Sequence, residues 1–165
     1  MLQKLQKRKE TGFTIIEVLI VLAIAGLIML VVFLAVPALR RSSRNTTRKA
    51  DVSAALGAVS EFVNNNSGTL PDTAAVAGKV LTISLAAGGA NNSTANMGYY
   101  TTNSATAGIT MSTQAAYGAT NNTTTDTVVI LTGASCNGNN PAAGSSRGIV
   151  AVYTLENNSK QCQES

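Results

Sequence analysis

The 165-residue sequence predicts an α+β protein: one long N-terminal α-helix whose second half packs on a small antiparallel β-sheet head. Three observations predict it. An apolar run from Ile15 to Val36 contains a single charge, Glu17. Apolar residues then recur at spacings of three and four as far as Val63. Beyond residue 67, short β-branched runs alternate with Gly- and Asn-rich breaks.

Residues 1–12 form a basic leader carrying Lys4, Lys7, Arg8 and Lys9. The next segment, 13–39, holds the apolar run of twenty-two residues. As a helix that run reaches about 33 Å at 1.5 Å per residue, enough to cross a hydrocarbon core of about 30 Å. A removed secretory signal is the alternative, but its apolar core normally spans about 7–15 residues before a small-x-small cleavage site. Here Ala23-Ile24-Ala25 lies inside the run, and Ala35-Val36-Pro37 puts proline where a small residue is needed. The segment reads as a retained span.

Residues 40–66 continue the helix. Val52, Ala55, Leu56, Val59, Phe62 and Val63 make an apolar stripe that requires a sheet to cover it. Asn64-Asn65-Asn66-Ser67-Gly68, followed by Pro71, stops it with residues suited to left-handed and turn conformations. The helix is therefore expected from about Phe13 to Asn64. In the head, 67–165, strands are expected at Lys79–Leu85, Tyr99–Asn103, Ile109–Thr113, Asp126–Thr132 and Gly148–Leu155. Loops are expected at Gly88-Gly89, Asn91-Asn92, Asn121-Asn122 and Asn137 to Ser146.

Charge is distributed unevenly. Nine of the twelve cations precede residue 50, and from residue 54 onward three cations face five acids. The net +4 thus describes the membrane-proximal end, and no nucleic-acid face is expected on the head. Basic residues flank the apolar run on both sides, so charge alone does not orient it. Cys136 and Cys162, the only cysteines, do. A pair in a small exported domain usually means one disulfide, which places the C-terminal part outside the cytoplasm; two unrelated reduced thiols are the alternative.

The sequence has no His, so no imidazole base and no His metal ligand exist. Serines and threonines lack a His partner, and the acids of the head are spread as Asp72, Asp126, Glu156 and Glu164. The chain reads as a non-enzyme without a cofactor. Scattered Asp and Asn carbonyls leave only a loop calcium site open.

Glu17 stands inside the apolar run, where a central acid costs about 2.5–3.5 kcal/mol on insertion scales. Nearness to the helix end allows it to snorkel, which explains tolerance but not purpose. The span offers no cation, and an α-amino group made by nearby proteolysis is the obvious candidate.

The basic leader, Lys9-Glu10-Thr11-Gly12 and Phe13-Thr14-Ile15-Ile16-Glu17, followed by Val18 to Ile24 of the apolar run, resemble the N-terminus of a type IV pilin precursor. The resemblance covers the first third of the chain. It implies that a prepilin peptidase cuts between Gly12 and Phe13 and that Phe13 is N-methylated. It implies an assembly role for Glu17, and helix flexibility at Gly26 and Pro37. Pro37 lies one turn later than in many pilins, whose proline matches Leu34 here. The C-terminal disulfide loop of pilins corresponds weakly to Cys136 and Cys162.

Partners implied are further copies in a filament, the peptidase, an inner-membrane platform and an assembly ATPase. The location implied is the cytoplasmic membrane as a single-pass precursor, then an extracellular pilus on the cell surface. A type II secretion pseudopilin keeps the architecture and changes the use. An unprocessed membrane-anchored binding protein is the reading from another class.

Overall fold

The computed structural model describes residues 12–88, 90–101, 108–120 and 123–165. The four leader cations, Gly89 of the loop expected at Gly88-Gly89, and Asn121-Asn122 lie outside the described residues. The chain divides into two compact units, Met1–Arg40 and Arg41–Ser165. One helix, α1 (Ile15–Asn65), runs without interruption through Gly26 and Pro37. Pro37 has no N–H to donate, so the carbonyl one turn earlier loses its partner while the helix continues.

The strands of the second unit are β1 (Thr73–Ala77), β2 (Val80–Ser84), β3 (Ser93–Asn96) and β4 (Gly108–Thr113). After helix α2 (Gln114–Thr120) come β5 (Thr127–Thr132), β6 (Ala134–Asn137), β7 (Asn140–Ala143), β8 (Ile149–Thr154) and β9 (Lys160–Glu164). They form three sheets in the orders β1-β2-β3, β4-β5-β8-β9 and β6-β7. The architecture is α+β.

The sheet is mixed where the sequence predicts an antiparallel one. β4 pairs parallel to β5, with Ile109 opposite Val128 and Met111 opposite Ile130. Parallel neighbours need a crossover of a dozen or so residues, and the segment containing α2 supplies it. The sequence reading placed only the Asn121-Asn122 loop between Thr113 and Asp126 and no helix.

β5 and β8 are buried on both faces, which is why TVVILT and IVAVYT read as unbroken apolar runs. Val128 and Ile130, with Ala151 and Tyr153, join Val52, Leu56, Val59 and Phe62 of α1, Leu81 and Ile83 of β2, and Ile109 in one core. Val129, Leu131, Val150 and Val152 point the other way, onto Tyr117 of α2 and the Cys136–Cys162 disulfide. The helical stripe expected from spacing is thus the stripe that packs.

The strand expected at Tyr99–Asn103 is not found at 99–101, and 102–103 lie outside the described residues. Asp51 is the reason. Its carboxylate accepts the backbone N–H groups of Gly98 at 2.8 Å, Tyr99 at 2.7 Å and Tyr100 at 3.1 Å. Those amides point at α1 and cannot serve a strand ladder, so the extended segment falls earlier, at β3. Gly98 allows the close approach, because a Cβ there would lie 2.8 Å from Cγ2 of Thr47 and force that side chain to shift.

Arg48, one turn before Asp51, is buried with only 2% of its surface exposed. Its guanidinium lies over the Tyr99 ring, 4.1 Å from the centroid, donates to the Tyr99 hydroxyl, and stands 3.7 Å from both Asp126 and Glu156. The Tyr99 hydroxyl in turn donates to Asp126 at 2.8 Å. Arg44 pairs bidentately with Glu156 through Nε and Nη2. Two cations that the sequence reading assigned to the membrane flank therefore belong to the head's own anchor.

Asp51→Ala leaves three amides without their acceptor and is expected to cost roughly 3 kcal/mol. Urea unfolding of the full chain in detergent micelles reads it; a loss under about 1 kcal/mol would mean the amides find other partners. The hydrogen bond from Arg44 holds the Glu156 carboxyl below the usual range. A depressed carboxyl contributes stability above its unfolded value, about pH 4.3, and loses it as pH falls through the folded value. Glu156→Gln should therefore unfold with a flatter dependence on acid pH than the wild type, and parallel acid profiles would refute the pairing.

The disulfide closes about 27 residues, so Cys136→Ser should lower stability by roughly 3 kcal/mol. An unchanged Tm would show that the crosslink does not constrain the unfolded chain.

Candidate functional site

The N-terminal segment holds the residues that the sequence singles out for processing and assembly. Gly12 and Phe13 precede the helix and are exposed, Phe13 at 87%. Among the described residues no heavy atom lies within 4 Å of a Cβ placed on Gly12, so their packing does not demand glycine there.

Helix α1 starts at Ile15, because Thr14 caps it. The Thr14 carbonyl accepts the first helical bond from the Val18 amide at 3.4 Å. The Thr14 hydroxyl donates to Oε2 of Glu17 at 2.7 Å, and the Thr14 amide donates to the same oxygen at 3.0 Å. The Glu17 amide lies 3.4 Å from the Thr14 hydroxyl oxygen. This is a reciprocal capping box, in which a Thr and a Glu three residues on satisfy each other's helix-end groups. Glu17 also sits in the first turn, where the helix dipole favours an anion.

The sequence reading looked for a cation for Glu17 and overlooked the polar donors next to it. The signal was available as Thr14-x-x-Glu17 directly before an apolar run.

From Ile15 to Leu39 the large apolar side chains are all exposed, among them Phe33 at 76% and Leu39 at 74%. The segment is long and apolar enough to cross a membrane. An apolar surface on every side of a helix requires lipid or other helices around it. Gly26 lies in this surface with no atom within 4 Å of a placed Cβ, so a side chain would fit there in a single copy.

In the second unit, Cys136 of β6 and Cys162 of β9 form a disulfide with Cα atoms 5.7 Å apart. It ties the small β6-β7 hairpin to the edge strand of the larger sheet. A polar hollow of about 240 Å³ nearby is lined by Ser135, Arg147 and Glu164 among others. Glu164 is committed there, accepting the Cys136 amide at 2.6 Å. Among the described residues no three His, Cys, Asp or Glu side chains gather into a group suited to a metal ion.

Residues 7–33 match the family model of the prokaryotic N-terminal methylation motif. No curated protein and no solved structure matches the chain. The matched residues run from the leader through Gly12, Phe13, the capping box and Gly26 into the apolar surface. The match supports a type IV pilin-like class III signal peptide, borne on an apolar helix that anchors the precursor in a membrane.

Proposed function

We propose that the chain is a structural subunit of an extracellular type IV pilus. Residues 1–12 are its removable leader, 13–39 its membrane and filament-core helix, 40–66 the amphipathic continuation and 67–165 the displayed head. A prepilin peptidase cuts between Gly12 and Phe13, and Phe13 is N-methylated. Copies then stack through their apolar helices and serve in adhesion, motility or DNA uptake. The observation that carries this reading is the methylation motif over residues 7–33, set on a helix whose apolar side chains are exposed all round.

The physical logic follows from charge. Cleavage removes Lys4, Lys7, Arg8, Lys9 and Glu10, leaving eight cations and seven acids, a net +1, on residues 13–165. A nearly neutral subunit stacks with little repulsion. The cut also creates an ammonium group on Phe13, and Glu17 of a neighbouring copy is its complement. An unpaired carboxylate in a dry helix bundle costs far more than a paired one, so the pair sets the axial register. Energy for extraction has to come from an ATPase elsewhere, since the chain carries no nucleotide motif. The motif fits a type II secretion pseudopilin as well; the Cys136–Cys162 loop at the head surface favours the pilus.

The test is to shear the cell surface and determine the N-terminal residue of the protein by mass spectrometry. A methylated Phe13 in abundant sheared filaments is the expected result. A chain still beginning at Met1 and confined to membranes would overturn the reading in favour of an unprocessed anchored protein. In parallel, Glu17→Ala should leave insertion and cleavage intact while reducing filaments at least tenfold, the factor that about 1.4 kcal/mol of lost pairing would produce. A bulky residue at Gly12 should leave the precursor uncut.

A further inference from the structure

Glu17 is not a loose carboxylate at the mouth of an apolar helix. Its Oε2 takes two donors from Thr14, the hydroxyl at 2.7 Å and the amide at 3.0 Å, while Oε1 takes no hydrogen bond from any described residue. From this asymmetry we infer that Thr14 is the positioning residue for Glu17: it fixes one carboxylate oxygen and leaves the other to receive an ammonium group from a second copy of this chain. The inference rests on the reading above, in which mature copies meet through Glu17 and the amine of Phe13.

Three features of the geometry support it. First, the box survives maturation. The Thr14 amide belongs to the Phe13–Thr14 peptide bond, which a cut between Gly12 and Phe13 leaves intact, and the hydroxyl is untouched. The carboxylate is therefore held in the same place in the stored precursor and in the subunit that assembles.

Second, the two donors lower the cost of keeping an anion beside hydrocarbon until a cation arrives, because hydrogen bonds to a charged acceptor are the strong ones. An acid that had to wait without donors would retreat towards headgroups and water. The box instead keeps it at the third helical position, facing back along the helix towards its start.

Third, a glutamate has three side-chain torsions to restrict before it can meet a partner, and a carboxylate already fixed loses less freedom on pairing. Preorganisation of this kind favours one incoming geometry and so sharpens register as well as affinity. Threonine suits the task because its branched Cβ restricts χ1 while its hydroxyl both donates and accepts.

A simple helix cap and a positioning residue make different demands, and substitutions at Thr14 separate them. Thr14→Ser keeps acceptor and donor. Thr14→Val keeps the shape and loses both. Thr14→Asp keeps the acceptor that caps the Glu17 amide, and is as good a cap as any residue. It cannot donate, however, and it sets a like charge against Glu17. Each variant is expressed as the full precursor, and filament yield is expressed per amount of subunit cleaved at Phe13, beside wild type and Glu17→Ala.

Serine is expected to assemble like the wild type, while valine and aspartate lose filaments about tenfold or more at unchanged cleavage, the effect of losing charge-assisted bonds. Wild-type yield from Thr14→Asp would show that Thr14 only caps the helix and would overturn the inference, with the filament reading intact. Loss of filaments fully accounted for by loss of cleavage would overturn it too. An absence of filaments from the wild type would overturn the filament reading and this inference with it.

A second measurement needs no filament. In the purified full chain in detergent micelles, the Thr14 amide should exchange its hydrogen about tenfold faster in Glu17→Ala than in wild type. Equal rates would show that the box does not persist, which refutes the inference on its own.

Discussion

The head is organised around a carboxylate that accepts three consecutive backbone amides. Asp51 lies one turn beyond Arg48 on α1, and both are buried in a chain with only 12% charged residues. Burying either charge costs several kcal/mol unless polar partners surround it; Asp51 is fully supplied, while Arg48 is supplied through Nη2, its Nε and Nη1 having no hydrogen-bond partner among the described residues. Asp51 takes the amides of Gly98, Tyr99 and Tyr100, while Arg48 meets the Tyr99 ring and hydroxyl, Asp126 and Glu156. The same stretch of helix thereby fixes the loop after β3, the entry to β5 and the turn after β8. Apolar packing of Val52, Leu56, Val59 and Phe62 would tolerate a helix slid or rotated slightly against the sheet. Three directed hydrogen bonds to one carboxylate do not tolerate it.

The elements legible in the sequence are those whose composition had one strong reason behind it. TVVILT and IVAVYT had to be apolar on both faces because α1 covers one side of their sheet and Tyr117, Ala134 and the Cys136–Cys162 disulfide cover the other, and the stripe from Val52 to Phe62 had to be amphipathic because one side meets the core. The strands that escaped notice are short and mostly small or polar. TAAVA, STAN and KQCQE are strands through their neighbours rather than through intrinsic preference. The parallel pairing of β4 with β5 was hidden for a related reason, since α2 is too short and too polar to announce a crossover.

Tyr99 shows the opposite error. Two adjacent tyrosines followed by threonines have strong strand preference, yet a carboxylate distant in sequence captures their amides. Local preference loses when a buried charge has to be satisfied. At the N-terminus local preference holds, because Thr14-x-x-Glu17 is a local signature and the box forms as its spacing requires.

The acids of this protein thus divide by how completely their partners lie within the same chain. Asp51 is saturated by backbone donors, Glu156 is held by Arg44, Asp126 takes the Tyr99 hydroxyl, and Asp72 accepts the Thr73 hydroxyl and the Ala86 amide. Among the described acids, Glu17 alone stands in an apolar surface with one oxygen engaged by a neighbour three residues away. The box itself would form with an uncharged glutamine at its third place, so capping alone does not require an acid, although the helix dipole favours one there. What glutamine cannot supply is a full negative charge for a cation arriving from outside. On the filament reading proposed above, the negative charge serves a meeting between molecules, and the Thr14 box holds that charge still until the meeting takes place.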